Sequence, residues 1–191
     1  MPIRPKTLAH IVYRTRRFDE MLAWYAKVFG AKIQYQNPAL AFLTYDGEHH
    51  RFAFANLDVI RPEENDKDDR GMVGVDHVAY EFETLRDLLE NYSNFKDDGI
   101  LPYWAVNHGM SASLYYADPD GNQMEFSVDC FPTKEECTAY FHGEEIGSNP
   151  VGTEYNPEEW LAKLRGGTPE TELLKFDSHA AVSPIRGAMT A

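Results

Sequence analysis

Leu8-Ala9-His10-Ile11-Val12-Tyr13 and Val75-Asp76-His77-Val78-Ala79-Tyr80 are two versions of one short stretch, their histidines 67 positions apart. Each is a β-prone apolar run with a histidine in third place. Each is followed by a helical pattern. In the first, Phe18, Met21, Leu22, Tyr25, Val28 and Phe29 recur at the spacing of one helix face; in the second, Leu85, Leu88, Leu89, Tyr92 and Phe95 do the same. Thr84, three residues before Asp87, has the spacing of an N-terminal cap, and Gly30 and Gly99 stand where a left-handed C-terminal cap belongs.

Three strand-like segments follow each helix, over 31–36, 40–45 and 50–57 and again over 100–106, 111–117 and 122–128. The order βαβββ therefore occurs twice. A four-stranded sheet with one helix leaves a face uncovered, so two such modules are expected to pair around a central cavity in an α+β fold. The expected organisation is a first module over 1–60, a charged linker over 61–73, a second module over 74–129 and a C-terminal extension over 130–191. In the extension, 133–142 and 157–165 read as short helices and the last 20 or so residues as a loosely held tail.

Composition excludes several function classes. The 191 residues are 43% hydrophobic and 13% aromatic, enough for a core. With 18 Lys and Arg against 31 Asp and Glu, the net charge is −13, which repels phosphate backbones and anionic lipid. No nucleic-acid or membrane role is expected. No run approaches the 18 apolar residues a spanning helix needs, and no apolar run follows Arg4 and Lys6 as a signal peptide requires. Cys130 and Cys137 match no zinc spacing and suggest a reducing, cytoplasmic setting.

His10 and His77 hold equivalent places on the first strands of equivalent modules, so paired modules would point both into one cavity. A third ligand is expected from Glu125, mid-strand among apolar neighbours, where a bare carboxylate would be costly. Two imidazoles and one carboxylate with open positions form the facial triad associated with non-haem Fe(II). Manganese accepts the same N and O donors. Asp118-Pro119-Asp120-Gly121 suits a three-residue hairpin loop with a bulge at Gly121, a register that pairs residue 115 with 125. Tyr115 then lies opposite Glu125; a plain two-residue turn would put Tyr116 on that face instead. Tyr103, Trp104 and Phe126 are near enough to line an apolar cavity, and His142 and His179 read as surface residues.

Val106-x-His108-x5-Leu114-Tyr115-x2-Asp118-Pro119-x-Gly121-x3-Glu125 resembles the signature of the type I extradiol ring-cleavage dioxygenases, with every fixed position filled. The duplicated βαβββ pattern over roughly 7–129 resembles the wider vicinal-oxygen-chelate superfamily, and the length its one-domain members. The resemblance implies an iron held by His10, His77 and Glu125. It implies His50 beside bound dioxygen, His108 as the acid–base residue and Tyr115 as a hydrogen-bonding partner of the substrate oxygens. Glu48-His49-His50-Arg51-Phe52-Ala53-Phe54 is similar to the family's His-His pair on the last strand of a module. The loop between His50 and His77 is longer and more charged than that pattern, so His49 stands as the alternative. The implied reaction opens a catechol-type ring beside its two hydroxyls with O₂, and a homo-oligomer is expected.

Two other functions fit the scaffold. A glyoxalase-type lyase or isomerase would want an acidic ligand ending each module. Asp58 occupies the first-module equivalent of Glu125, at an expected strand end, but such chemistry has no use for His108 and Tyr115. A non-catalytic small-molecule-binding protein would need no metal triad.

Overall fold

The computed structural model describes residues 3–62, 73–117 and 123–187. The chain divides into two compact units, Ala9–Val78 and Met1–Leu8 with Ala79–Ala191. Strands β1 and β5 each carry the chain from one unit into the other.

The Ala9–Val78 unit contains β1 (Thr7–Thr15, from Ala9), α1 (Phe18–Phe29), β2 (Lys32–Gln36), β3 (Leu40–Thr44), β4 (Phe52–Asn56), α2 (Leu57–Ile60) and the start of β5 (Gly74–Glu81). Its strands lie in the order β2-β3-β4-β1-β5. β4 runs antiparallel to β3 and parallel to β1, in a register that sets Tyr13 against Phe54 and Val12 against Ala53. Period-two alternation then sorts the side chains. Phe52, Phe54, Ala41 and Leu43 pack against Phe18, Leu22 and Tyr25 of α1, with Tyr13 beside them. The other face carries His10, Phe42, Ala53 and Ala55. α1 ends on Gly30 at φ 63°, as its cap position requires.

The second unit takes up the end of β5 and adds α3 (Leu85–Asp97), β6 (Trp104–Asn107), β7 (Ser111–Ala117) and β8 (Gln123–Asp129), then α4 (Lys134–Tyr140), α5 (Glu144–Ser148), β9 (Thr153–Glu154), α6 (Pro157–Arg165) and α7 (Glu170–Leu173). Its strand order is β5-β8-β7-β6-β9. Thr84 caps α3 by accepting the Asp87 N–H at 3.0 Å. Leu85, Leu88, Leu89 and Tyr92 bury against Ala112, Leu114, Tyr116 and Val128. By alternation the opposite face carries Trp104, Val106, Ser113, Tyr115 and Glu125. Phe126 packs in the helix-facing core with Phe82 and Phe95, so it does not line the cavity expected of it.

The expected helices over 133–142 and 157–165 are α4 and α6. The loosely held tail is corrected as far as residue 187; residues 188–191 lie outside the described residues. Leu173, Leu174 and Ser183 are buried, the Asn107 amide donates to the Leu174 carbonyl at 3.1 Å, and Arg186 pairs with Glu154 at 2.6 Å. β9 also pairs with β6, covering what would otherwise be an exposed sheet edge. Of the expected linker, residues 63–72 lie outside the described residues, as does the hairpin turn at 118–122.

Candidate active site

In the Ala9–Val78 unit the repeat brings His10 and His77 together. Their rings are 5.6 Å apart between centroids and nearly perpendicular, and both are buried. His77 Nδ1 lies 2.8 Å from an Asp76 carboxylate oxygen, whose partner oxygen is 3.4 Å from the Arg14 guanidinium. A carboxylate can only accept, so Nδ1 carries the proton and Nε2 is left as a lone-pair donor. The sequence signal for this orienting residue was an acid directly before a strand histidine, and the sequence reading passed over it.

His50 lies 4.2 Å from the His10 ring and edge-on to Phe42 at 5.1 Å. His49 and His50 interact through their Nδ1 atoms, and His49 approaches Glu48 at 3.5 Å. Of the two, His50 is the one whose ring lies against His10, tilted by 34°. The pair sits in the bend before β4 rather than on the strand expected from sequence. Asp58, the acidic ligand a glyoxalase-type reading wanted, is in the first turn of α2 rather than at a strand end. It is largely exposed and bound to Arg16 at 2.9 Å.

In the second unit the register pairs Tyr115 with Glu125 and Tyr116 with Met124, as the bulged-loop reading expected. Tyr116 faces the helices, and its hydroxyl is pushed above the ordinary range by burial, then by Tyr92. Glu125 is 1% exposed, and one of its oxygens accepts the Ser113 hydroxyl at 2.5 Å. Ser113 stands diagonally across the ladder on the same face, so the strand pairing itself aims that hydroxyl.

His108 follows β6. Its Nδ1 lies 2.5 Å from the Val151 carbonyl, and its Nε2 lies 3.0 Å from the Tyr115 hydroxyl. The carbonyl accepts only, so Nδ1 is protonated and Nε2 of the neutral ring accepts from Tyr115. Trp104 stacks on Tyr115 at 4.8 Å and donates its indole N–H to Ser183 at 3.0 Å. Tyr103 donates to Gln123 at 2.9 Å. His142 and His179 are exposed, as expected.

Each unit thus presents one polar set on the sheet face away from its helix. One is a histidine cluster with its carboxylate orienter. The other is a buried carboxylate beside an imidazole–phenol pair. Such a pattern belongs to a family built by duplicating βαβββ. The chain belongs to the Glyoxalase/Bleomycin resistance protein/Dioxygenase superfamily, whose model matches residues 7–126. Two curated relatives are both from Rhodococcus globerulus. Biphenyl-2,3-diol 1,2-dioxygenase 3 is 43% identical over 91% of this chain and 89% of its own length. Biphenyl-2,3-diol 1,2-dioxygenase 2 is 43% identical over 88% of this chain and 86% of its own. Among solved structures, a catechol 2,3-dioxygenase is similar with a TM-score of 0.51 at 18% identity. That match covers 67% of this chain but 44% of that one, and shows the shared fold.

Proposed function

We propose that this chain is an extradiol dioxygenase, opening the ring of a catechol-type aromatic diol beside its two hydroxyls with O₂. The observation that carries the reading is the kinship, over nine-tenths of the chain, with two enzymes named as biphenyl-2,3-diol 1,2-dioxygenases. The side chains support it. His10, His77 and Glu125 are all buried and each offers a ligand atom, and Asp76 leaves Nε2 of His77 as the donor. A two-imidazole, one-carboxylate set suits Fe(II) and accommodates Mn(II). When bound, the metal would favour deprotonation of the diol and bring diol and O₂ into reach of each other.

The chain's own groups then handle protons and water. His108 has Nδ1–H committed to Val151, so its acid–base atom is Nε2. In the neutral ring that atom takes a proton; once protonated, it donates. Tyr115 shares a hydrogen bond with the same atom and presents its ring beside Trp104, an apolar wall suited to an aromatic face. His50, its ring tilted against His10, contributes a further polar N–H or lone pair for a diol oxygen or O₂. The diol of a biphenyl, the substrate class in the relatives' names, is the preferred candidate over an unsubstituted catechol.

The test is direct. Protein purified anaerobically with ferrous ion is given 2,3-dihydroxybiphenyl, then air, with iron measured on the same sample. A yellow ring-fission product that needs both iron and O₂ is expected. Colour formed without O₂, or no product from iron-loaded protein, overturns the reading.

A further inference from the structure

The acid–base imidazole is held by a segment that lies outside both βαβββ modules. His108 donates Nδ1–H to Val151, 43 positions later in the C-terminal extension. That carbonyl is not placed by regular secondary structure, because Val151 lies between α5 and the two-residue β9. It is placed by Asn149. The Asn149 side chain is 1% exposed, and its amide oxygen accepts the N–H of Val151 at 3.2 Å and of Gly152 at 2.7 Å. Its amide nitrogen donates to the Gly152 carbonyl at 3.1 Å. Three hydrogen bonds from one buried side chain define the peptide units on both sides of the Val151 carbonyl.

The loop is also pressed against the backbone that carries the imidazole. Gly152 has φ 112°, and a Cβ there would fall 2.3 Å from the Asn107 carbonyl oxygen and 2.9 Å from His108 Cα. Only glycine allows that approach at that angle. Ser183 ties the outside of the same loop: its N–H donates to the Gly152 carbonyl at 2.8 Å, and its hydroxyl receives the Trp104 indole. An ordinary loop contact would need none of this. A carbonyl fixed on all sides and aimed at a ring nitrogen selects one tautomer.

We infer that Asn149 is a positioning residue for the proton transfer, holding the Val151 carbonyl where it keeps His108 in its Nδ1–H form with Nε2 turned to Tyr115. This rests on the dioxygenase reading for its role in turnover, but the tautomer itself is a property of the chain. Wrong-tautomer imidazoles hold their place and still fail as acid–base groups, because the proton and lone pair are exchanged.

The experiment compares wild type with Asn149→Ala and Asn149→Asp. Long-range ¹H–¹⁵N correlation on the full-length chain reads the tautomer of His108, identified by the signal lost in His108→Gln. Steady-state kinetics on iron-loaded protein read kcat and KM. In wild type the Nδ1–H form is expected to dominate. In Asn149→Ala the two tautomers are expected to mix, and kcat to fall at least about 10-fold, but by no more than the roughly 10²–10⁴-fold that losing the whole acid–base group costs, with KM unchanged. Asn149→Asp keeps both accepting interactions but loses the donor to the Gly152 carbonyl, and is expected to restore the tautomer bias in part. If Asn149→Ala does not fold, Asn149→Ser, whose hydroxyl is too short to hold both N–H groups, reads the same signal. An unchanged tautomer in the folded Ala or Ser variant overturns the inference, as does a rise in KM with kcat intact. Wild type without ring cleavage overturns the proposed function instead, and the tautomer spectrum then still decides this point.

Discussion

Glu125 sits mid-strand with its neighbours Met124 and Phe126 turned toward the helices, and a strand interior gives a carboxylate little reason to be there. The Ser113 hydroxyl meets one oxygen. Its proposed purpose is to bind the metal, so Glu125→Ala is expected to lose the iron and all measurable turnover; one retained equivalent of iron would remove this residue from the ligand set. His108 is predicted to behave differently. His108→Gln keeps the ligands and is expected to keep the iron, while kcat drops by roughly 10²–10⁴-fold. Normal turnover in that variant would place the proton donor elsewhere. The placement of some of these residues was legible: 10 and 77 hold equivalent places in the repeat, and 115 and 125 follow from hairpin register, whereas His108 was singled out only by the resemblance to the extradiol signature. Asn149 and Val151 were not legible, because a backbone carbonyl reaching back 43 residues leaves no trace in side-chain pattern. Asp76 was readable and missed, being adjacent to His77 in the chain.

At the scale of elements, α3 and the extension form one packed layer. Leu89 of α3 is fully buried, and Leu161 and Leu164 of α6 join the same cluster. Tyr92 donates to Glu158 at 2.8 Å, Arg165 binds Glu90 through two nitrogens, and the Glu170 carboxylate accepts the N–H groups of Leu85 and Arg86 at the first turn of α3. Leu89→Ala is expected to cost about 2–5 kcal/mol, read as a lower denaturation midpoint at unchanged slope. The outer ion pairs carry a pH signature. Hydrogen bonding to Arg165 holds Glu90 below its usual 4.5, and hydrogen bonding to Arg186 does the same for Glu154. A depressed carboxylate stabilises the fold above its ordinary value and loses that contribution as pH falls through the folded value. The protection factor of the Ser183 amide, corrected for the intrinsic pH dependence of exchange, is therefore expected to fall below pH 4.5 before that of the α3 core does; equal protection factors at pH 4 and pH 7 would contradict this. Helical periodicity made α1 and α3 readable, and short β-prone runs the eight module strands. α5, β9 and α7 have two to five residues each, too few for any period to show, and the described part of the tail is held by contacts its own composition does not announce.

For the molecule as a whole, the proposed ligands His10, His77 and Glu125 are spread widely along the chain. An unfolded chain cannot assemble ligands 115 positions apart in sequence, so the metal should bind the native state alone. Binding to the native state alone stabilises by RT ln(1 + [L]/Kd), about 2.7 kcal/mol at a hundredfold excess over Kd. For a chain of 191 residues, each kcal/mol moves Tm by roughly 2–4 °C, so ferrous ion is expected to raise Tm by roughly 5–10 °C. The net charge of −13 would give any divalent cation some nonspecific stabilising effect through screening, and that effect must be separated. Glu125→Gln does so: it removes one charge of many but also the carboxylate of the ligand set. Magnesium, which prefers oxygen donors, supplies the same screening without the imidazole bonds. The expected result is a large Tm rise with Fe(II) in wild type, little with Mg(II), and little with either in Glu125→Gln. Equal shifts for both cations, or a full Fe(II) shift in Glu125→Gln, would mean the ion binds the acidic surface and not the three buried side chains.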